Sequence, residues 1–201
     1  MMEARSPGSA NFNLERASVM LIDGDAMGAS ITSQVLAGFG ARQVQKAGSI
    51  EDAKRLLGIG AIDLILMDPA TMGEGGYEFV PWIRRNLSAP NRYAPVLVTT
   101  GHTQISRIAA VRDSGANFVV LKPFSPAVLM ARLQWLSRDR RPYVDCPVYA
   151  GPDRRWKFDG PPVGSNGRRS EDATLEVQAP SQPNLSQAAI DAMMAPRKVS
   201  L

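Results

Sequence analysis

The sequence predicts an α/β fold: a five-stranded parallel sheet with helices on both faces, followed by a largely disordered C-terminal tail. Three observations carry this expectation. From Ser18 to about Leu136, strand-like and helix-like segments alternate strictly, five of each. Strands linked by helices of this length must be parallel. Strands three to five are continuous apolar runs, as expected of strands covered on both sides.

Each element has its own local signal. "SVMLID" (18–23) reads as the first strand. "AMGASITSQVLAGFG" (26–40) has apolar residues at helical spacing and stops at Gly40. "QVQKA" (43–47) is a weak second strand. "SIEDAKRLLG" (49–58) opens with Ser49 and Asp52 in a capping-box-like start and closes on Gly58. "IDLILMD" (62–68) is the third strand, and "GYEFVPWIRRNL" (76–87) a helix with Pro81 near its first turn. "APVLVTTG" (94–101) and "NFVVLK" (117–122) are strands flanking the helix "TQISRIAAVRDSG" (103–115). The last helix, "SPAVLMARLQWLSR" (125–138), has Ser125 as cap and Pro126 at its first position. Trp82 and Trp135 fall at helical spacing with other apolar residues and are expected to pack.

The domain plan follows: a polar arm over 1–16, a folded core over 17–138, and a Pro/Gly/Arg-rich extension over 139–201. No period survives across 142–184, so this stretch is expected to be mostly disordered and dispensable for folding. One exception is a short amphipathic helix over 186–195, capped by Ser186 and marginal by itself.

Composition excludes several classes. No apolar run reaches the roughly 18–20 residues of a membrane span. The N-terminal stretch lacks the apolar core of a secretory signal. A single cysteine, Cys146, forbids an internal disulfide, and with one histidine it offers no metal cluster. A cytoplasmic protein is the simplest reading. The net charge of +4 is concentrated between Arg138 and Arg169, where eight Lys/Arg face four Asp.

In an open parallel sheet, ligands gather at the carboxyl ends of the strands. Those ends carry Asp23 and Asp25, then Asp68, Thr100 and Lys122. Clustered carboxylates, a hydroxyl and a lysine suit phosphoryl chemistry on an aspartate. Carboxylates supply the hard oxygens that Mg²⁺ prefers, and lysine and threonine neutralise or hydrogen-bond the remaining oxygens.

With "LIDGDA", "DLILMDPATMGEGGYE", "PVLVTTG" and above all "SGANFVVLKPFSP" in view, residues 17–138 resemble a response regulator receiver domain. The resemblance implies a flavodoxin-like sheet of order 2-1-3-4-5 and a signalling module rather than an enzyme. It implies Asp68 as phosphoacceptor, Thr100 as switch hydroxyl and Lys122 as the lysine on the phosphate, with a cis Lys122–Pro123 bond. Asp23, Asp25, Asp68 and the backbone carbonyl of Ala70 would hold Mg²⁺. Its partner would be a sensor histidine kinase or phosphotransfer protein, and a stand-alone receiver would act on a further protein of unknown identity.

The chain departs from the family pattern at three places. Gly24 stands where the second of two adjacent acids is usual, and Asp25 falls one position late. Either the loop bends so that Asp25 reaches the metal, or the ligand is missing and Mg²⁺ binds weakly; in the second case Gly24→Asp would tighten it. The usual Met-Pro after the phosphoacceptor is replaced by Thr71 and Met72. Val119 replaces the usual aromatic switch residue, and Phe118 should face the other side of the strand.

Two further readings compete. A degenerate receiver could serve as a phosphorylation-independent docking module, its Arg-rich tail holding an acidic partner or a nucleotide such as cyclic di-GMP through Arg154 and Arg155, beside Tyr149, Trp156 and Phe158. The tail shows no helix-turn-helix and is too irregular for a DNA-binding domain. More remotely, Asp23-Gly-Asp25 resembles the Asp-x-Asp motif of haloacid-dehalogenase-type phosphatases, but no strand beyond Lys122 carries the further acids they need, and Asp68 is left unexplained. His102 reads as an ordinary loop histidine and Cys146 as inert.

Overall fold

The computed structural model describes residues 12–73, 75–102, 104–154 and 185–195. Five parallel strands, β1 (Ser18–Ile22), β2 (Gln43–Ala47), β3 (Leu64–Met67), β4 (Val96–Thr100) and β5 (Phe118–Leu121), form one sheet of order β2-β1-β3-β4-β5. Helices α1 (Ala26–Gly38), α2 (Ile50–Leu57), α3 (Phe79–Asn86), α4 (Ile105–Asp113) and α5 (Pro126–Ser137) follow the strands in turn. Every residue of β3 and β4 is buried, because central strands are covered on both faces. Edge strand β2 carries the polar residues Gln43, Gln45 and Lys46, which explains its weak signal.

The caps behave as their residue types require. Ser49 accepts from the Asp52 amide, and Ser125 from the Val128 amide with Pro126 at the first position. Trp82 stacks on Phe79 at 5.4 Å, and Trp135 lies tilted against Phe118 at 5.2 Å. Phe118 is thus occupied beneath α5.

The ends of the chain depart from expectation. Within the N-terminal arm, Leu14 is buried, and its amide donates to Phe39 O at 2.9 Å. Phe12 packs against the same core, so two large apolar residues anchor the end of a polar stretch. Within the tail, β6 (Tyr143–Cys146) and β7 (Tyr149–Pro152) form an antiparallel hairpin. Its Tyr149 and Ala150 are buried where β7 packs on α3, and Arg85 donates to the carbonyls of Cys146 and Pro147. The rest of the predicted irregular stretch, 155–184, lies outside the described residues. A sixth helix, α6 (Gln187–Met194), is capped by Ser186 and buries Ile190 and Met194.

The hairpin closes the amino-terminal edge of the sheet, where Arg84 of α3 is the organising group. Arg84 is buried and donates to the carbonyls of Arg92, Ala94 and Gly115 and to Asn117 Oδ1, at 2.7–3.1 Å. Burial lowers its pKa to about 10, which still leaves it charged at neutral pH. The opposite, carboxyl-terminal edge is left for the site.

Candidate functional site

Strands β1 and β3 each end on a carboxylate, Asp23 and Asp68, both buried. The chain after β5 supplies Lys122, followed by a cis bond to Pro123. Parallel register brings these ends level: Ile22 pairs with Met67, and Thr100 with Leu121. Lys122 Nζ then lies 2.7 Å from Asp68 Oδ2 and 3.0 Å from Asp23 Oδ2. One ammonium bridges two acids. Burial pulls the Lys122 pKa down, but the hydrogen bonds and charges of Asp68 and Asp23 outweigh it, so the net shift is upward.

Each carboxylate has a second anchor. Asp68 Oδ1 accepts from the Ala70 amide at 2.9 Å, at the start of a 3-10 turn over Pro69–Met72. Asp23 Oδ1 accepts from the Asp25 amide and from the Thr71 hydroxyl, both at 2.9 Å. Thr71 Oγ1 also accepts from the Gly24 amide at 2.8 Å, which ties the loop after β1 to the loop after β3.

The other predicted residues are placed as follows. Thr100 is buried at the end of β4, and its Oγ1 accepts from the His102 amide at 3.0 Å. The Asp25 carboxylate caps α1, accepting from the amides of Met27 and Gly28 at 3.1 Å. Arg154 is not at this edge. It pairs with Asp113 at the far end of α4, and its guanidinium lies 4.2 Å from the centre of the Tyr149 ring. Arg155 lies outside the described residues.

The residues that sequence reasoning missed are Thr71 as the bond between the two loops and Arg84 as the buried cation. A threonine three residues after a strand-end acid is a weak local clue to a capping contact. The run Arg84-Arg85 gave no hint that one guanidinium points inward.

These features agree with the comparisons. A family model described as "Response regulator receiver domain" matches residues 19–134. The chain belongs to the response regulator receiver family. Transcriptional regulatory protein YvrH of Bacillus subtilis (strain 168) is 27% identical over 121 residues, covering 60% of this chain and 49% of that protein. Swarming motility regulation protein RssB of Serratia marcescens is 30% identical over 90 residues, covering 44% of this chain and 39% of that protein. The receiver chain thus matches half or less of the length of these curated relatives. Among solved structures, Vibrio cholerae chemotaxis protein CheY4 is 25% identical with a TM-score of 0.54, covering 59% of this chain and 97% of that one.

Receiver domains generally bind Mg²⁺ at the acidic pocket. Here Asp23 and Asp68 present the hard oxygens such an ion takes, while Asp25 is engaged in its helix cap. Among the described residues no group of three or more His, Cys, Asp or Glu converges. The carboxylate oxygens of Asp23 and Asp68 are the donors of this pocket that suit such an ion. A third carboxylate cannot simply be added: a Cβ on Gly24 would meet Thr71 O at 2.2 Å. No helix among the described residues is long and apolar enough to cross a membrane.

Proposed function

We propose that this receiver accepts a phosphoryl group on Asp68 from a phosphohistidine of a histidine kinase or phosphotransfer protein, and then signals by binding another protein. The observation that carries the reading is the bridge from Lys122 Nζ to Asp68 and Asp23. The Asp68 carboxylate attacks phosphorus; an O–P bond forms as the N–P bond to the donor imidazole breaks. Lys122 shifts from Asp68 Oδ2 to the incoming oxygens, and Asp23 keeps it near. The Thr100 hydroxyl is the further donor to those oxygens. Asp23, Asp68 and the Ala70 carbonyl would hold Mg²⁺, weakly with the Asp25 carboxylate engaged in its helix cap. When bound, the ion neutralises charge on the phosphoryl oxygens.

One observation favours a second reading. The Gly24–Thr71 contact and the Asp25 cap leave a pocket whose groups are already satisfied by one another, which suits a docking module that does not cycle phosphate. The test is intact mass after incubation with Mg²⁺ and a small phosphoramidate. The first reading expects one added phosphate, absent in Asp68→Asn. The second expects no addition at any Mg²⁺ concentration.

A further inference from the structure

The amino-terminal edge of the sheet holds a cavity of about 220 Å³, at the opposite end of the strands from the acidic pocket. Its walls come from α3, the turns before β4 and β5, the end of α5 and the hairpin. Arg84, Asn117 and Tyr143 give it polar groups, while Tyr93, Pro95 and Leu136 give it apolar surface. Tyr93 meets Tyr143 edge to face at 4.7 Å, and the Arg84 guanidinium lies 6.0 Å from the centre of the Tyr143 ring.

Three arginines gather here, and one differs from the others. Arg92 pairs with Asp145, and Arg141 with Asp139. Arg84 is 1% exposed, yet its hydrogen bonds all go to neutral oxygens, and among the described residues no carboxylate pairs with it. A buried charge is ordinarily paired, because a low-dielectric interior penalises a lone ion. Donors are also left over. A guanidinium has five N–H groups, and one on Arg84 Nη2 is unspent. Asn117 Oδ1 is taken by Arg84 and the Val96 amide, and no acceptor among the described residues takes the Asn117 Nδ2 hydrogens. The Tyr143 hydroxyl is buried and has no hydrogen-bond partner among the described residues.

A fixed single cation, surplus N–H and O–H donors and aromatic walls select a planar monoanion with an apolar body. A carboxylate has only acceptors and carries one charge. Phosphate would bring more charge than Arg84 balances and would make no use of the apolar walls.

We propose that this cavity is a binding site for a small aromatic carboxylate, with Arg84 as its counter-charge, Asn117 and Tyr143 as further donors, and the hairpin as its closing wall. Tyr143 belongs to β6, so the site is complete only with the hairpin docked, and a ligand bound there holds the hairpin on the core. Nothing in this site depends on phosphoryl transfer at Asp68.

The test is titration of the full chain with benzoate, followed by NMR of backbone amides and arginine Nε–H signals. Benzoate should bind saturably with a Kd of about 1 mM or tighter. It should shift the Arg84 Nε–H and Asn117 amide signals and leave the Ala70 amide in place. Benzamide, of like shape but uncharged, should bind at least about tenfold more weakly. Inorganic phosphate should not displace benzoate. Arg84 variants threaten the fold, so Tyr143→Phe serves instead: it keeps the ring and should melt no earlier than the parent. It should bind benzoate roughly fivefold to tenfold more weakly. No saturable shift up to about 20 mM benzoate would overturn the site. Equal affinity for benzamide, or displacement by phosphate, would overturn the ligand class. Unchanged affinity in Tyr143→Phe, or shifts confined to residues away from the cavity, would overturn its location.

Discussion

The Gly24 amide donates to Thr71 Oγ1 at 2.8 Å, and the Thr71 carbonyl stands 2.2 Å from where a Cβ on residue 24 would lie. The missing acid and the altered loop are therefore one feature. With no side chain at 24, the turn after β3 closes onto the loop after β1, and the Thr71 hydroxyl donates to Asp23 Oδ1.

Gly24→Asp is accordingly expected to disturb more than it restores. The atom in the way is backbone, so the Pro69–Met72 turn must move as a whole, at a cost of about 1–3 kcal/mol. The variant should melt earlier and bind Mg²⁺ no more tightly than the parent. Tighter binding by calorimetric titration with an unchanged thermal midpoint would show that the turn opens freely.

Removing the Arg84 guanidinium should be severe. Arg84→Met keeps volume but leaves the carbonyls of Arg92, Ala94 and Gly115 without the guanidinium donor, while Asn117 Oδ1 keeps only the Val96 amide. The expected loss is about 3 kcal/mol or more. Urea unfolding monitored by Trp fluorescence measures it, and a loss below about 1 kcal/mol would mean that water replaces the guanidinium.

The hairpin makes the tail part of the fold. Gly115 has φ of +95°, and a Cβ there would meet Ala150 O at 2.2 Å. Gly115→Ala should therefore push the hairpin off and strain the backbone together. Ending the chain after Arg141 removes the buried Tyr149, Ala150, Ile190 and Met194, and should cost at least about 3 kcal/mol. A truncated chain that melts within a degree or two of the parent would show that these contacts carry no stability.

The Lys122 bridge sets a pH expectation. Its folded pKa lies above the ordinary 10.5. The stability it contributes is complete below the unfolded value and is lost only as pH rises through the folded value. The stability difference between the parent and Lys122→Met should thus be the same at pH 7 and pH 9. A difference that shrinks across that interval would mean the lysine titrates early and is not held by both acids.

The central sheet was legible because each strand and helix carries its own periodicity and cap. The convergence of Asp23, Asp68 and Lys122 was legible because parallel strands end together. The fate of Asp25 was not: a carboxylate two residues after a strand can face a ligand or cap the next helix, and spacing does not distinguish them. The hairpin was hidden because Tyr143–Cys146 and Tyr149–Pro152 are four residues each, mixed in polarity, and acquire their partners from α3 and the turn before β5. The dock of α6 was hidden for a like reason. Its cap is local, but Gln187 finds β5 66 to 68 residues away in sequence.

The most direct test asks which carboxylate becomes an acyl phosphate. The full chain is treated with a small phosphoramidate and Mg²⁺, reduced with borohydride, digested and mapped by tandem mass spectrometry; reduction converts a phosphorylated aspartate to homoserine. Homoserine is expected at Asp68 alone, with none in the Asp68→Asn protein. Homoserine at Asp23 or Asp25, or at no position, would contradict a phosphoacceptor at Asp68.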